Sequence, residues 1–299
     1  MESVNLVEAS KTLQKKQNET LQDFFSSKKQ EKLNKKVVWH EFFNEIPKDI
    51  TSPSIIIAHE FFDALPIFKF QYTKNGWREI LVDIKEEIED SKNSGEFRFV
   101  LAPGETQASI SLTDTPRFDA EKKVGNVIEV SAESFDITRE IASRINENGG
   151  FGLIFDYGKD NVSNDSLRGV SNHKFVSILK EPGSCDITAD VDFSLLKSAC
   201  SHLAFPYGPI TQKKFLETMG IYTRLGMLLK KGGLNSSQRK SLVSGVKRLT
   251  SLENNVGMGN IYKVLAITNN QLVPYSFDSD ETLVNETRQT EGLEEEKIN

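Results

Sequence analysis

Hydrophobic positions along this chain switch between a period of two and a period near four. Val4-Asn5-Leu6-Val7 predicts a strand almost at the first residue. Lys11 to Phe25 predicts a helix with a sparse apolar stripe of Leu13, Leu21 and Phe24/Phe25. Lys28 to Lys36 is a basic connection, Val37-Val38-Trp39 a short strand and Ser54-Ile55-Ile56-Ile57-Ala58 a stronger one. The unbroken apolar run of the last is the pattern of a strand buried on both faces. Phe68, Phe70 and Tyr72 then alternate with polar residues, and Ile80, Val82 and Ile84 alternate on the way back. Asn75-Gly76 between them reads as a type I′ turn pair, so the segment predicts a hairpin, with Phe97 to Leu101 as a third strand.

The second half changes rhythm. Ile137, Ile141 and Ile145 recur every four residues on a helix ended by Gly149-Gly150, and Gly152-Leu153-Ile154-Phe155 follows as a buried strand. Asp192 to Ser201, Thr211 to Met219 and Arg224 to Lys231 predict helices, the last closed by Gly232-Gly233. Tyr262 to Ile267 is a final apolar strand. Strands alternating with helices predict an α/β fold with a mainly parallel sheet, and the hairpin (about residues 67–103) as an antiparallel insertion. His40-Glu41-Phe42-Phe43 and His59-Glu60-Phe61-Phe62 are identical, and each leads to a proline, Pro47 or Pro66. With no third copy they read as two strand-to-helix transitions with shared local grammar, not as a repeat fold.

Charge divides the chain. Positions 278–299 hold eight acids and two bases, which is the whole net charge of −6; residues 1–277 balance at 35 acids and 35 bases. A neutral body gives no broad attraction to nucleic acid, and the acidic segment reads as a disordered tail after one domain over 1–277. The hydrophobic share is 37%, and no apolar run reaches the ~18 residues that a membrane span needs. Met1 to Gln22 is polar and charged, unlike a secretory signal or an Arg-rich transit peptide. Two cysteines, Cys185 and Cys200, without a Cys-x-x-Cys pair, fit a reducing compartment and neither a disulfide scaffold nor a structural zinc site.

Ligands of an open parallel sheet bind beyond the carboxyl ends of its strands. Glu8 stands at the end of the first strand, where an acid can accept hydrogen bonds from both hydroxyls of an adenosine ribose; a helix-capping or surface acid would look the same. His59, Glu60 and Asp63 follow the Ile55–Ala58 run. Two acids three apart at the start of a helix either face its dipole or hold a cation, above all a guanidinium, which takes two parallel charge-assisted bonds. Asp156-Tyr157-Gly158 ends the next strand. Gly152 to Gly158 fails as a phosphate loop, having one residue too many and Asp160 where Ser or Thr must reach magnesium. The four histidines show no metal-ligand spacing, and Gly169-Val170-Ser171-Asn172-His173 lacks the closing glycine of a nucleophile elbow.

At this point the residues resemble a known family. Ala58-His59-Glu60-Phe61-Phe62-Asp63-Ala64-Leu65-Pro66 is similar to the N/H-E-F/L-F-D-A-L-P signature of the MidA-like methyltransferases, the mitochondrial complex I assembly arginine methyltransferases and their bacterial relatives. Val4 to Ser10 is similar to their V-x-L-V-E-x-S strand, and Gly76-Trp77-Arg78-Glu79 with Val82-Asp83-Ile84 to their hairpin. Further blocks follow in the family's order. They include Asp156-Tyr157-Gly158, Leu167-Arg168-Gly169, His173-Lys174, Asp186 to Phe193, Tyr207 to Gln212, and Lys263 to Ala266. The resemblance runs from about residue 3 to about 268.

The resemblance implies a Rossmann-like methyltransferase fold that uses S-adenosylmethionine to methylate a protein arginine symmetrically. It implies a mitochondrial matrix location and an acceptor among complex I subunits. It puts Glu8 and His59 at the cofactor, Glu60 and Asp63 at the reacting guanidinium, and Asp156, Tyr157, Arg168 and His173 in the substrate cleft. The family's first strand and glycine-rich cofactor loop have no match in this chain, which implies an N-terminally truncated member whose sheet lacks its usual central strand. A catalytically silent assembly or interaction factor with the same fold is the competing expectation. A nicotinamide oxidoreductase is weaker, since no Gly-x-Gly-x-x-Gly occurs.

Overall fold

The computed structural model describes residues 3–27, 37–48, 52–85, 96–162, 164–172, 174–253, 257–271 and 273–278. The acidic segment from 279 onward therefore lies outside the described residues. The chain forms two compact units, Met1–Ser52 and Pro53–Asn299.

In the first unit, β1 (Val4–Val7) and β2 (Val37–His40) pair in parallel, Val4 opposite Val37 and Val7 opposite His40. Parallel strands need a crossover, and α1 (Lys11–Ser27) lies between them in the chain. The Trp39 indole N–H donates to Gln17 Oε1 at 2.9 Å, which ties β2 to that helix. The His40 ring meets the Asn5 side chain at 3.0 Å across the strand pair.

The second unit opens with β3 (Ser54–His59), β4 (Phe68–Thr73), β5 (Gly76–Ile84) and β6 (Phe97–Leu101), then α2 (Gln107–Thr113), β7 (Val127–Val130) and α3 (Ala132–Asn148). It continues with β8 (Gly150–Lys159), β9 (Arg168–Ser171), β10 (Lys174–Val176), β11 (Asp186–Thr188), β12 (Val191–Asp192) and α4 (Phe193–Ala199). It closes with β13 (Phe205–Thr211), α5 (Gln212–Thr218), α6 (Ile221–Lys230), α7 (Ser236–Thr250) and β14 (Tyr262–Thr268).

β8 is the spine of the main sheet. Along one edge, β3 pairs in parallel with Gly150–Phe155 and β12 in parallel with Gly158–Lys159. Along the other edge lies antiparallel β14, with antiparallel β13 beyond it. Two glycines permit the close approach on the shared edge. At Gly150 (φ +106°) a Cβ would lie 1.9 Å from the Ser54 carbonyl oxygen, and at Gly158 it would lie 2.1 Å from that of Val191. α3 covers one face of the sheet. Its four-residue spacing buries Ile141 and Ile145 together with Ile154 and Ile267 of the sheet. Ser131 caps its start, and Gly149 at φ 78° ends it.

A second sheet runs β6-β5-β4-β7, all antiparallel, over a core of Phe70, Trp77, Phe118, Ile128 and Val130. It takes its fourth strand, β7, from beyond the Phe97–Leu101 strand that ends the predicted hairpin segment. A third, small sheet sets β9 between β10 and β11.

Three sequence expectations need correction. The main sheet is mixed rather than mainly parallel, because β13 and β14 both run against their neighbours. β3 is not buried on both faces. Ser54, Ile56 and Ala58 are half-buried, while Ile55 and Ile57 on the opposite face are 68% and 65% exposed. The hairpin turn is Lys74-Asn75, since Thr73 pairs with Gly76; only Gly76 takes a positive φ, 89°, so the turn is not of the mirror-image type.

Candidate active site

Because β3 and β8 are parallel, with His59 opposite Phe155, their carboxyl ends finish side by side. The Glu60 N–H still donates to the Phe155 carbonyl, at 3.0 Å, and the chain then leaves the sheet. No helix follows. Phe61 to Ile67 is a series of turns, so Glu60 and Asp63 do not share a helix face as the spacing predicts, and the second half of the sequence echo is a strand-to-turn transition. His40-Glu41-Phe42-Phe43 leads only into a short 3-10 turn, Phe43–Glu45.

What orders the turn is Asp156. This residue is fully buried. Its Oδ2 accepts the backbone N–H groups of Phe61, Phe62 and Asp63 at 3.2, 3.0 and 3.3 Å, and its Oδ1 accepts that of Tyr157 at 3.0 Å. Successive N–H groups converging on one oxygen form an anion nest, here filled by a side chain of the neighbouring strand. Glu60, at the entry to the nest, sits at φ +48°, a conformation that a non-glycine residue holds only where its surroundings impose it. Burial, and secondarily the charge of Asp63, push the Asp156 carboxyl up to about 7, while the backbone N–H groups pull the other way.

The nest presents Asp63. Its Oδ2 accepts from the Tyr157 hydroxyl and from Thr188 Oγ1, the latter at 2.7 Å, and its backbone carbonyl accepts the Ala189 N–H at 3.0 Å. Its Oδ1 is buried and, among the described residues, has no hydrogen-bond partner. Glu60 Oε1 accepts from the Tyr262 hydroxyl at 2.5 Å. The Tyr157 and Tyr262 rings meet edge-on, with centroids 5.5 Å apart. Burial, and then the bonds to Asp63 and Glu60, raise both phenols above their ordinary value, so they act as donors at neutral pH. The Arg168 guanidinium lies 5.0 Å from the Tyr157 ring centroid and is tied to Asp190 at 2.8 Å and to the Ser166 carbonyl at 2.9 Å.

Glu60, Asp63, Asp156 and Tyr157, all taken from the strand ends, thus lie together, and Arg168, which only the family resemblance puts in the cleft, stands beside Tyr157. His59 stands exposed at the end of β3, its ring 5.9 Å from that of Phe155. His173 lies outside the described residues. Thr188 and Tyr262 were not predicted. Tyr262 opens β14, which runs antiparallel with Tyr262 opposite Tyr157, so the amino end of that strand meets the carboxyl end of β8. Thr188 sits on a three-residue strand with no periodicity to reveal it.

Glu8 belongs to the first unit. It follows β1, its N–H donates to the His40 carbonyl at 2.9 Å, and its two carboxylate oxygens accept one bond each, from the Ser10 N–H and the Gln17 side chain. Each oxygen keeps a lone pair, so the residue fits a ribose diol. Among the described residues no group identifies itself as a holder of a methionine moiety, no cluster of three or more His, Cys, Asp and Glu is arranged to hold a metal, and no helix is long and apolar enough to cross a membrane.

Comparison with known proteins gives the family of the chain. A family profile described as "Putative S-adenosyl-L-methionine-dependent methyltransferase" matches residues 2–210. The chain belongs to this methyltransferase family. Relatives include "Protein arginine methyltransferase NDUFAF7, mitochondrial" of Danio rerio, 40% identical over 78% of this chain and 51% of the relative. The protein of the same name in Homo sapiens is 38% identical over 71% of this chain and 45% of its own. The chain spans about half the length of the curated relatives it matches. Among solved structures, a COG1565 superfamily member from Burkholderia thailandensis bound to S-adenosyl-homocysteine aligns with a TM-score of 0.66. It is 21% identical, over 93% of this chain and 65% of that one. A native structure from the same superfamily and organism gives a TM-score of 0.70 at 20% identity, over 94% and 70%. The architecture of the methyltransferase family is therefore that of a Rossmann-like α/β sheet, here carrying the hairpin sheet as an addition.

Proposed function

We propose that this chain serves methyl transfer from S-adenosylmethionine to an arginine side chain of a protein, with Asp63 and Glu60 as the acids that receive the guanidinium. The observation that carries this reading is the buried, unpartnered Oδ1 of Asp63. A buried carboxylate oxygen without a donor is costly, and a planar group with several N–H donors relieves that cost. The relatives' names point to arginine rather than lysine, and a fork of fixed N–H groups suits two acids of one turn that are each anchored by hydroxyls of other strands. The acceptor would be a mitochondrial matrix protein, in the first instance a complex I subunit.

Bound S-adenosylmethionine supplies a methyl group on a cationic sulfonium, and Glu8 is the residue that would hold its ribose. The remaining work falls to the chain. The acceptor guanidinium is also cationic, and two unit charges ~4 Å apart repel by about 4 kcal/mol at an effective dielectric of 20. Glu60 and Asp63 offset that repulsion and fix the guanidinium plane, while Tyr157, Thr188 and Tyr262 hold the two carboxylates still. The guanidinium keeps its proton until late in the displacement, because arginine titrates above ~12; Asp63 Oδ1 is the acceptor that then takes it.

The test is incubation of the 299-residue chain with methyl-tritiated donor and matrix proteins, followed by acid hydrolysis. The expected label is in methylarginine, with the symmetric dimethyl form as end product. Label confined to other residues, or none above a boiled control, contradicts the proposal. A second reading, an interaction protein without turnover, is favoured by the exposed face of β3 at Ile55 and Ile57.

A further inference from the structure

Residues 212–253 carry nine bases against two acids, inside a body that is neutral as a whole. They fold into α5, α6 and α7. Arg224, Lys231, Arg239, Lys240, Lys247 and Arg248 are all exposed. α6 buries none of its ten residues. On it, Met227 and Leu228 are 68% and 47% exposed. They follow Arg224 at spacings of three and four, with Lys231 at seven, so two apolar side chains and two bases share one open face. The layer is thus cationic, adhesive and uncovered among the described residues.

We propose that the chain's own acidic carboxyl-terminal segment, residues 279–299, docks on this face. Three observations select that occupant. The first is charge: the segment holds seven acids and two bases, the complement of the helical layer, and its Leu283, Val284 and Leu293 offer apolar partners for Met227 and Leu228. The second is position. The last described residue, Asp278, has its carbonyl 3.3 Å from Lys214 Nζ on α5, and Phe277 just before it packs on Phe215 with ring centroids 6.3 Å apart. The chain therefore leaves the structure at the basic layer itself. The third is reach. A 21-residue tether has a root-mean-square reach of roughly 25 Å, comparable to the ~22 Å length of the 15-residue α7. A tether of that length gives an effective concentration of about 1 mM, so a weak ionic contact is populated in cis before a dilute anionic partner competes.

The experiment uses the full chain. A carbodiimide couples carboxylates directly to lysine amines, and mass spectrometry locates the links. The expected links join Glu286, Glu291 and Glu294 to Lys231, Lys240 and Lys247. They should fall about fivefold or more at 0.5 M salt, where the screening length is near 4 Å. In an Arg239→Glu/Lys240→Glu/Lys247→Glu variant, whose changes are all on exposed positions, links to Lys231 should fall similarly with an unchanged circular dichroism spectrum. Mixing light and heavy isotope chains should yield unmixed links. Equal yields to exposed lysines near the hairpin sheet, such as Lys122 and Lys123, would overturn the proposal. So would links that are insensitive to the triple variant, or a majority of mixed links, which would assign the face to a second copy.

Discussion

Replacing Asp63 with asparagine is expected to lower kcat/KM for methyl transfer by about 100-fold or more and to leave the protein at least as stable as the parent. The two halves of this expectation come from one geometry. Asparagine keeps an oxygen for the Tyr157 and Thr188 hydroxyls and puts an NH2 where the unpartnered Oδ1 stands. The new NH2 has no acceptor there among the described residues, but an unpaired neutral amide costs less to bury than an unpaired carboxylate oxygen. The charge that helps push Asp156 up disappears as well. A guanidinium entering the same place now meets a donor instead of an acceptor, and both its attraction and its orientation are lost. Loss of activity with unchanged or raised thermal stability is the mark of a residue kept for chemistry rather than for folding. Glu60→Gln should cost less, about tenfold, because Glu60 is exposed and keeps its bond from Tyr262 through the amide oxygen. Steady-state kinetics with thermal melts on both variants decides the matter. An Asp63→Asn enzyme within threefold of the parent rate, or one that unfolds at a lower temperature, would make Asp63 a structural residue.

The second large effect concerns Asp156 and pH. Its carboxyl titrates near 7 in the folded chain against an ordinary 3.8, chiefly through burial. Between those values the folded state holds a proton that the unfolded state has released. Its stabilising contribution is therefore complete below pH ~4 and is lost as pH rises toward 7, at up to about 1.4 kcal/mol per pH unit. Other carboxylates titrate in the same range, so the useful quantity is the difference from an Asp156→Asn variant. Asparagine still offers one oxygen to the N–H groups of Phe61, Phe62 and Asp63 but turns an NH2 toward the Tyr157 N–H. The variant should therefore be the less stable form at pH 4, by about 1–3 kcal/mol. The loss over the whole shift is about 4 kcal/mol, so the gap should close and then reverse as pH rises toward 7, leaving the variant the more stable form and the difference flat above about 8. Urea denaturation at each pH measures it. A gap that does not change with pH would show that Asp156 ionises normally in its nest.

Much of this site was legible in the sequence because strand ends are. An apolar run followed by an acid locates a carboxylate at the mouth of a buried strand, and Glu60, Asp63 and Asp156 were all found so. Their convergence depends on β3 lying beside β8, a pairing between residues almost a hundred positions apart that no local pattern encodes. The helix expected after β3 did not form because Asp156 satisfies the N–H groups of the turn directly, from the other strand. Tyr262 escapes a strand-end reading because β14 is antiparallel and brings its amino end to the site. α7 was missed although Leu242, Val246 and Leu249 keep helical spacing and Asn235 with Gln238 forms a capping box. Its abundant serine and lysine and its Gly245 dilute the apolar signal. The exposure of Ile55 and Ile57 runs against their hydrophobicity, and a pattern read from composition alone assigns them to a buried face.

The measurement that bears most directly on whether this chain is an enzyme or a silent relative is calorimetric titration of S-adenosylmethionine into the folded 299-residue protein. Saturable one-to-one binding in the micromolar range, weakened at least tenfold by Glu8→Ala, is the expected result. A chain with a normal circular dichroism spectrum that gives no saturable heat would contradict the account and leave the interaction-protein reading in its place.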